Sequence, residues 1–412
     1  MSNGSKPPVT NYLFTYLIGS LVRIYPYQER DERLPERTHA ETCQYAECAA
    51  EEGESFFGVK GTSVILDIVS VPVKIPFDYM HLILEGEFKR KLARFFFPPR
   101  GFIAKADLAE LNALLRKVRL PHDFSKRVSE LSEKSVRRAK AGELQLLLLH
   151  LLLPILKSVV PNNVYCHFGL LVTAMQLLNK DVATDSDIDL ADQMLNVYHK
   201  VDVTLYGEKS QTFTNHALVH LAEQRRTHGC PLVLLSNFVF EGFIASLIRQ
   251  YHGTRNIVSQ MVTNIALLQN IEDIACKVDD DNFIILANNI AFGSRNRRRL
   301  RVTDELSFVG DISHSIPALS DIPDFDRNVH DCYCERIWYK GNVYHSISYR
   351  YKRNSNSYTI TFFHENQKRY GSVLYFVKNG ERCTMVVKCL AETEQRLFDD
   401  DMVGCFQMLT IS

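Results

Sequence analysis

Apolar residues recur at the spacing of a helix over most of the chain between Phe77 and about Asn289. Near the start of this region, one stripe of a helix is predicted from residues at helical spacing: Leu108, Leu111, Leu115 and Val118. Five further stretches continue the pattern: 140–160, 167–180, 187–207, 215–229 and 240–271. No period of about 20–50 residues repeats, so the pattern does not predict a solenoid.

Two parts of the chain favour strands instead. The β-branched stretch 63–73, "SVILDIVSVPV", predicts one short strand that ends before Pro76. In the C-terminal part, apolar and polar residues alternate over 334–390, with turn signals at 340–342, 354–356 and 379–380. This alternation predicts a small antiparallel β domain.

The predicted fold class is therefore mainly α with a small C-terminal antiparallel β domain. The chain is divided as follows: an irregular N-terminal segment 1–56 with a helix-prone piece near its end, a helical body 57–290, a basic and polar linker 291–330, the β domain 331–395 and a tail 396–412. A length of 412 residues suits two or three domains.

Composition points to an intracellular protein with no membrane span. Lys plus Arg and Asp plus Glu both number 48, so a polyanion can be bound only through local clusters. The apolar run 11–22 is far shorter than the roughly 20 residues of a membrane helix. The run 143–160 contains His150, Pro154 and Lys157, which indicates a buried core helix, kinked at the proline. Ten cysteines lie at irregular spacing, and "HAETCQYAEC", from His39, is either a partial zinc site or a set of reduced thiols.

Asp78 and His81 stand three residues apart at the predicted start of a helix. Residues at this spacing share one face of a helix, about 5–6 Å apart. They can form a mutual hydrogen bond, half of a metal site or one part of a catalytic centre. The alternative is that Asp78 caps the helix and His81 faces the core.

Two more groups are candidates for chemistry, each with a plainer alternative. His216 and His220 are four residues apart, which suits two ligands of one metal ion but also two structural histidines. Glu241 lies in an apolar run, where a buried carboxylate is costly without a partner. The plainer alternative places Glu241 in the exposed first turn of its helix.

A basic run packs five arginines into seven positions: Arg295, Arg297, Arg298, Arg299 and Arg301. Such a run can neutralise several DNA phosphates, with an affinity that falls steeply as salt rises. A nuclear-import signal and a solvated linker are the two other interpretations. The basic and aromatic residues of 350–371 also suit a binding module on a sheet face, and equally the core of a small β domain.

Five segments resemble, in the same order, the second half of CACTA (En/Spm)-type transposases, closest to animal relatives of that family. They are "FGVKGTS" from Phe57, "PFDYMHLILEG" from Pro76, "KAGELQLLLLHLLLPIL" from Lys140, "HALVHLAEQRRTHG" from His216 and "FVFEGFIASLIRQYHGT" from Phe238. The resemblance covers about residues 20–270. It implies part of an RNase H-like DDE transposase core, interrupted by a large helical insertion.

The resemblance also assigns roles to individual residues. Asp78 and His81 match the family's Asp-x-x-His signature, and Glu241 matches the glutamate that serves as the third metal-binding carboxylate. In the family, three carboxylates bind two divalent metal ions, so Mg²⁺ or Mn²⁺ is implied if a complete site can be assembled. The chain departs from the family pattern at Gly242, and at the asparagine that should follow within "GFIAS".

The first two catalytic aspartates of the family have no recognisable counterpart in front of Asp78. Because Glu241 alone cannot provide the several oxygen ligands that Mg²⁺ demands, we expect no catalysis by this chain alone. The resulting hypothesis is a transposon-derived nuclear protein that associates with DNA and can self-associate. The alternative is a helical scaffold that acts through protein contacts and has no DNA role.

Overall fold

The computed structural model describes two compact units. One contains the described residues up to Arg116 and from Val128 to Glu241, and the other those of Lys117–Arg127 and Gly242–Arg396. The described residues are 24–29, 37–97, 103–121, 124, 127–128, 130–248, 251–275, 277, 299–303, 305–313, 332–349, 356–364, 366–379 and 382–391.

The first unit is helical. Its α-helices are α1 (His39–Glu52), α2 (Ile65–Ile68), α3 (Lys89–Phe96), α4 (Lys105–Lys117), α5 (Glu133–Arg138), α6 (Ala141–Leu146), α7 (Leu152–Leu156), α8 (Asn162–Leu178), α9 (Asp185–Tyr206), α10 (Phe213–Ala217), α11 (Leu221–His228) and the start of α12 (Phe238–Ile248). Two π-helical stretches interrupt this order: Tyr79–Phe88, which leads directly into α3 and is called the π-helix below, and Leu147–Leu151, which joins α6 to α7. Pro154, where the sequence predicts a kink, lies just after the second stretch.

The core of this unit lies around α8, which packs against α9. The ring of Phe168 on α8 stacks on Phe88 at 6.0 Å and meets the edge of Phe95 at 5.7 Å between centroids. Thr38 begins α1 and Thr184 begins α9, each with a capping box that satisfies the first backbone N–H groups of its helix. The helix-prone end of the N-terminal segment is therefore ordered as α1.

The prediction of a strand over 63–73 is wrong. This stretch contains α2 and turns, and its apolar side chains at Val64, Ile68 and Val73 are exposed. β-branched residues favour a strand only when a neighbouring strand or core can pack against them. Here the backbone N–H of Val71 donates to Nδ1 of His39 instead, at 3.1 Å.

The second unit contains the end of α12, α13 (Ile257–Ala275) and nine described strands. The strands are β1 (Arg299–Thr303), β2 (Leu306–Val309), β3 (Ile312–Ser313), β4 (Cys332–Cys334), β5 (Arg336–Tyr339), β6 (Asn342–His345), β7 (Thr359–His364), β8 (Gln367–Asn379) and β9 (Arg382–Cys389). One antiparallel sheet has the order β1-β2-β5-β6. In the other, the long strand β8 pairs with β9 along one edge and with β7 and β4 along the other.

The predicted character of the fold is confirmed at the level of mainly α with C-terminal antiparallel sheets. The turn predicted at 340–342 is present, since Lys340 and Gly341 both have positive φ between β5 and β6. Strands β1 to β3 lie inside 291–330, the predicted linker, because Phe308 on β2 packs into a core with Ile337 and Phe376. The tail 396–412 lies outside the described residues.

Across the part of the chain that the structure describes, no single helix is long and apolar enough to cross a membrane. Among the described residues, only one pair of neighbouring stretches is long and apolar enough when taken together, and the pair is bent by 85°: Phe213–His228 and Leu232–Ile248.

Candidate functional site

The Asp78 carboxylate ties together the starts of two helices. Its Oδ1 accepts hydrogen bonds from the backbone N–H groups of Met80 (3.2 Å) and Asn237 (2.8 Å). Its Oδ2 accepts one from the backbone N–H of His81 (3.1 Å). Asp78 therefore caps the π-helix and also fixes Asn237, the residue in front of α12. The capping interpretation of Asp78 is confirmed.

The same arrangement brings Asp78, His81 and Glu241 together. The His81 ring donates from Nδ1 to Oδ2 of Asp78, and its Nε2 lies 3.8 Å from Oε1 of Glu241. The side chains of His81 and Glu241 are 51% and 58% exposed. His81 therefore does not face the core, and Glu241 occupies the exposed first turn of α12, as the plainer interpretation of that residue expects.

The carboxylates around His81 favour its protonated form. The hydrogen bond to Asp78 raises the pKa of His81 against the effect of partial burial, and the charges of Asp78, Glu85 and Glu241 add to the increase. Burial pushes the pKa of Asp78 upward, but the hydrogen bonds from Asn237, His81 and Met80 outweigh it and hold that pKa below its usual value. The pair is an imidazolium beside a carboxylate at mildly acidic pH.

The group does not fit a divalent metal ion. A carboxylate offers about four lone-pair sites, and those of Asp78 already accept four N–H groups. This leaves Glu241 and the His81 Nε2, too few ligands for the octahedral, oxygen-rich coordination of Mg²⁺. In the described part of the chain, no three His, Cys, Asp or Glu side chains are arranged to hold a metal ion.

A second charged cluster, which sequence reasoning missed, lies at the far end of the π-helix, and its central residues Glu87, Lys91 and Asp202 are buried. Lys91 Nζ contacts Oδ1 of Asp202 and lies 3.6 Å from Oε1 of Glu87. Tyr198 donates its hydroxyl to Glu87 at 3.0 Å, and Arg90 pairs with the same carboxylate. Glu87 and Lys91, opposite charges four residues apart, were the only sequence signal of this cluster.

Burial and neighbouring charge compete in this cluster. Burial raises the pKa of Glu87, but the charges of Arg90 and Lys91 and its hydrogen bonds lower it to about 2, so the carboxylate is ionised. Burial lowers the pKa of Lys91, while the Glu87 carboxylate opposes that change. Glu87, Lys91 and Asp202 are enclosed by protein, whereas Arg90 is partly exposed. The cluster connects the π-helix to α9 through Tyr198 and to α10 through Asn215, which donates to Glu87 at 3.2 Å.

The other histidine candidates take part in packing. His216 and His220 lie 5.3 Å apart between ring centroids, and His216 also meets His199 and stacks on Tyr25. His39 Nε2 lies 3.6 Å from Sγ of Cys43. Because the rings pack against other side chains, these contacts favour the interpretation of structural histidines over that of metal ligands.

An open cleft lies beside Asp78. It has a volume of about 470 Å³ and is lined mainly by 71–77 and by α11, with Arg37 and Glu223 as its charged residues. Gln224 closes one wall, because its amide makes two hydrogen bonds to the backbone of Phe77.

The arginine run lies only partly within the described residues. Arg295, Arg297 and Arg298 fall outside them, whereas Arg299 and Arg301 belong to β1. In the register of β1 on β2, Arg299 lies opposite Val309 and Arg301 opposite Ser307.

The candidate site therefore consists of Asp78, His81 and Glu241, collected at the starts of the π-helix and α12. Compared with models of protein families, with curated proteins and with solved structures, the chain matches none of them.

Proposed function

We propose that this chain derives from the C-terminal half of a DDE-type CACTA transposase, associates with DNA and does not cut DNA on its own. The observation that carries the proposal is the 3.8 Å approach of His81 Nε2 to Oε1 of Glu241. The resemblance assigns these two residues to one catalytic centre although they are far apart in the sequence. Two residues of one catalytic centre must lie close together in the fold, so the short distance supports the proposal.

The hydrogen bonds of Asp78 support the part of the proposal that excludes catalysis. With both oxygens of Asp78 occupied, no second carboxylate of the described residues is arranged with Glu241 to share a metal ion. Two-metal phosphoryl transfer requires carboxylates that hold both ions a few ångströms apart. A partial RNase H-like core and a nuclear location belong to the same proposal.

DNA association is tested by measuring duplex affinity as a function of salt. We expect wild-type protein to bind duplex DNA without sequence preference. The variant in which Arg295, Arg297, Arg298, Arg299 and Arg301 become Ala should bind more weakly. The slope of log K against log salt should fall by about 0.9 for each phosphate that the variant no longer neutralises.

The matched control removes two arginines elsewhere. Arg137→Ala/Arg138→Ala lies at the end of α5, and we expect it to bind as the wild type does. If the two sets of substitutions have equal effects, or if the wild type does not bind duplex DNA at low salt, DNA association through this run is refuted. A nicking assay with Mn²⁺ completes the test. Nicking by wild type that disappears in Glu241→Gln would show that the chain is catalytic after all.

A second candidate function, a scaffold that acts through protein contacts, is favoured by the surface of α12. Phe240, Phe243, Ile244 and Ile248 are each more than half exposed. Their spacing of three and four residues places them on one stripe, of the kind that pairs with another helix. The stripe carries no charge, so two copies can meet without repulsion.

Self-association through this stripe is tested by light scattering after size exclusion over a range of concentrations. We expect wild type to form a dimer and Phe243→Glu/Ile244→Glu to remain monomeric, because a buried unpaired carboxylate is costly. Val182→Glu, at a strongly exposed apolar residue elsewhere, is the control and should dimerise normally. A monomeric wild type at every concentration would exclude the self-associating scaffold.

A further inference from the structure

One face of the sheet in the second unit combines exposed aromatic rings with basic side chains. Residues opposite one another in an antiparallel pair point to the same side. Phe363 lies opposite Lys368, Thr361 opposite Tyr370, and Ser372 opposite both Thr359 and Lys388. The exposed end of this face, called the ring face below, is formed by Thr359, Thr361, Phe363, Lys368, Tyr370 and Lys388.

The rings of this face are available to a ligand. Phe363 is 75% exposed and Tyr370 is 38% exposed, while Ile360 and Phe362, on the opposite side of β7, are half-buried. Phe363 and Tyr370 are diagonal neighbours across β7 and β8. Such neighbours lie about 7–8 Å apart. Burial of a Phe ring is favourable, and the exposed ring of Phe363 does not gain this free energy in the protein alone. A ligand that covers the ring would gain it on binding.

The charge around the rings favours a polyanion. Of the six residues of the ring face, Lys368 and Lys388 are basic and none is acidic. The whole chain, by contrast, has equal numbers of basic and acidic residues. Lys368 Nζ lies 5.6 Å from the centroid of the Tyr370 ring, so a cation stands directly beside a stacking surface.

We infer that the ring face binds single-stranded DNA, with Phe363 and Tyr370 stacking on bases and Lys368 and Lys388 neutralising phosphates. Base–aromatic stacking requires a base whose π-face is free, and a duplex presents only base edges in its grooves. Diagonal positions about 7–8 Å apart also exceed the roughly 3.4 Å repeat of a stacked strand, so rings carried on them suit bases that have been separated. The choice of DNA over RNA rests on the proposed function, whereas the stacking chemistry does not.

The test measures binding of the full chain to labelled oligothymidylate, oligouridylate and duplex DNA by fluorescence anisotropy. We expect Phe363→Ala/Tyr370→Ala to weaken oligothymidylate binding by at least about tenfold and to leave duplex binding unchanged. Tyr370→Phe keeps the ring and should bind as the wild type does. Because both residues are exposed, these substitutions leave the core intact.

The matched control is Tyr339→Ala. Tyr339 is 41% exposed, lies on β5 of the other sheet and also has a lysine beside its ring, with Lys340 Nζ 5.6 Å from the centroid. An equal loss of affinity in Tyr339→Ala, or no loss in the double variant, would overturn the inference.

The three probes separate this inference from the proposed function. Duplex binding without oligothymidylate binding overturns the ring face and leaves the proposed function standing. Oligothymidylate binding that depends on the rings supports the ring face even if the arginine run has no effect. Binding of oligouridylate alone would refute the assignment to DNA, and binding of no probe would refute both proposals.

Discussion

At the scale of single residues, Asp78 has two roles that are usually separate. It caps the π-helix, as an aspartate at a helix start commonly does. It also holds the imidazole of His81 in place through Nδ1 and the chain before α12 through Asn237. A residue that the resemblance places in a catalytic signature is, in this structure, the point at which two distant segments are joined.

This role predicts a pH dependence of stability. The Asp78 contribution is present above its ordinary pKa of 3.8 and is lost as pH falls through its lowered folded value. The His81 contribution is fully present below its ordinary pKa of 6.5 and is lost as pH rises through its raised folded value. We therefore expect the pair to stabilise the fold most between about pH 4 and pH 6.5.

Titration of His81 by NMR measures the effect directly. We expect Asp78→Asn to lower the pKa of His81, because the first cause of its increase is removed while a capping side chain is kept. Glu85→Gln and Glu241→Gln should lower it less. A pKa of His81 that is the same in Asp78→Asn as in wild type would contradict the pairing. The difference in melting temperature between wild type and Asp78→Asn should become smaller at alkaline pH, where His81 is neutral, but should not vanish, because the ionised Asp78 still accepts its three backbone hydrogen bonds.

At the scale of secondary-structure elements, the buried cluster connects the π-helix and α3 to α9. Lys91 and Asp202 are fully enclosed, and within the described residues Oδ2 of Asp202 has no hydrogen-bond partner. Removing one member of a buried ion pair leaves an uncompensated charge, which typically costs about 3–5 kcal/mol. We expect Lys91→Met to lower the free energy of unfolding by this amount in a denaturant titration.

Lys200→Met is the matched control for this prediction. Lys200 also pairs with a carboxylate, that of Glu29 at 2.8 Å, but both side chains are solvent-exposed. Because water solvates both groups once an exposed ion pair is broken, we expect little change in stability. Equal effects at Lys91 and Lys200 would show that burial of the charge is not what matters. Lys91→Met/Asp202→Leu should recover part of the stability that Lys91→Met removes.

Helices were easier to predict than the elements that depend on distant partners. The stripe that includes Leu111 and Leu115 is local, and both residues are buried on α4. The stretch 63–73 has the composition of a strand, but a strand also needs a neighbour, which sequence pattern does not reveal. Likewise, the sequence shows Glu87 and Lys91 as opposite charges four residues apart. It does not show that Asp202, on α9, contacts Lys91 in the fold.

At the scale of the whole molecule, the division into a helical part and a β part could be predicted, but its boundary could not. The segment from Arg299 to Ser313 has the pattern of a linker because its strands are short, yet Phe308 belongs to the buried core of the sheets. The candidate site shows the same limit. Its three residues could be identified from sequence motifs. Their proximity could not be predicted, because it depends on the hydrogen bond from the backbone N–H of Asn237 to Asp78.

The π-helix also constrains how the chain can change in length. It has Asp78 at its start and Glu87 near its end, and its i→i+5 hydrogen bonds set the angle between them. Deleting one residue would rotate everything beyond it about the helix axis. A Cβ on Gly86 would already lie 2.8 Å from the carbonyl oxygen of His81, so the backbone has little space to adjust. Insertions and deletions should therefore be absent from this segment in descendants that keep both charge clusters.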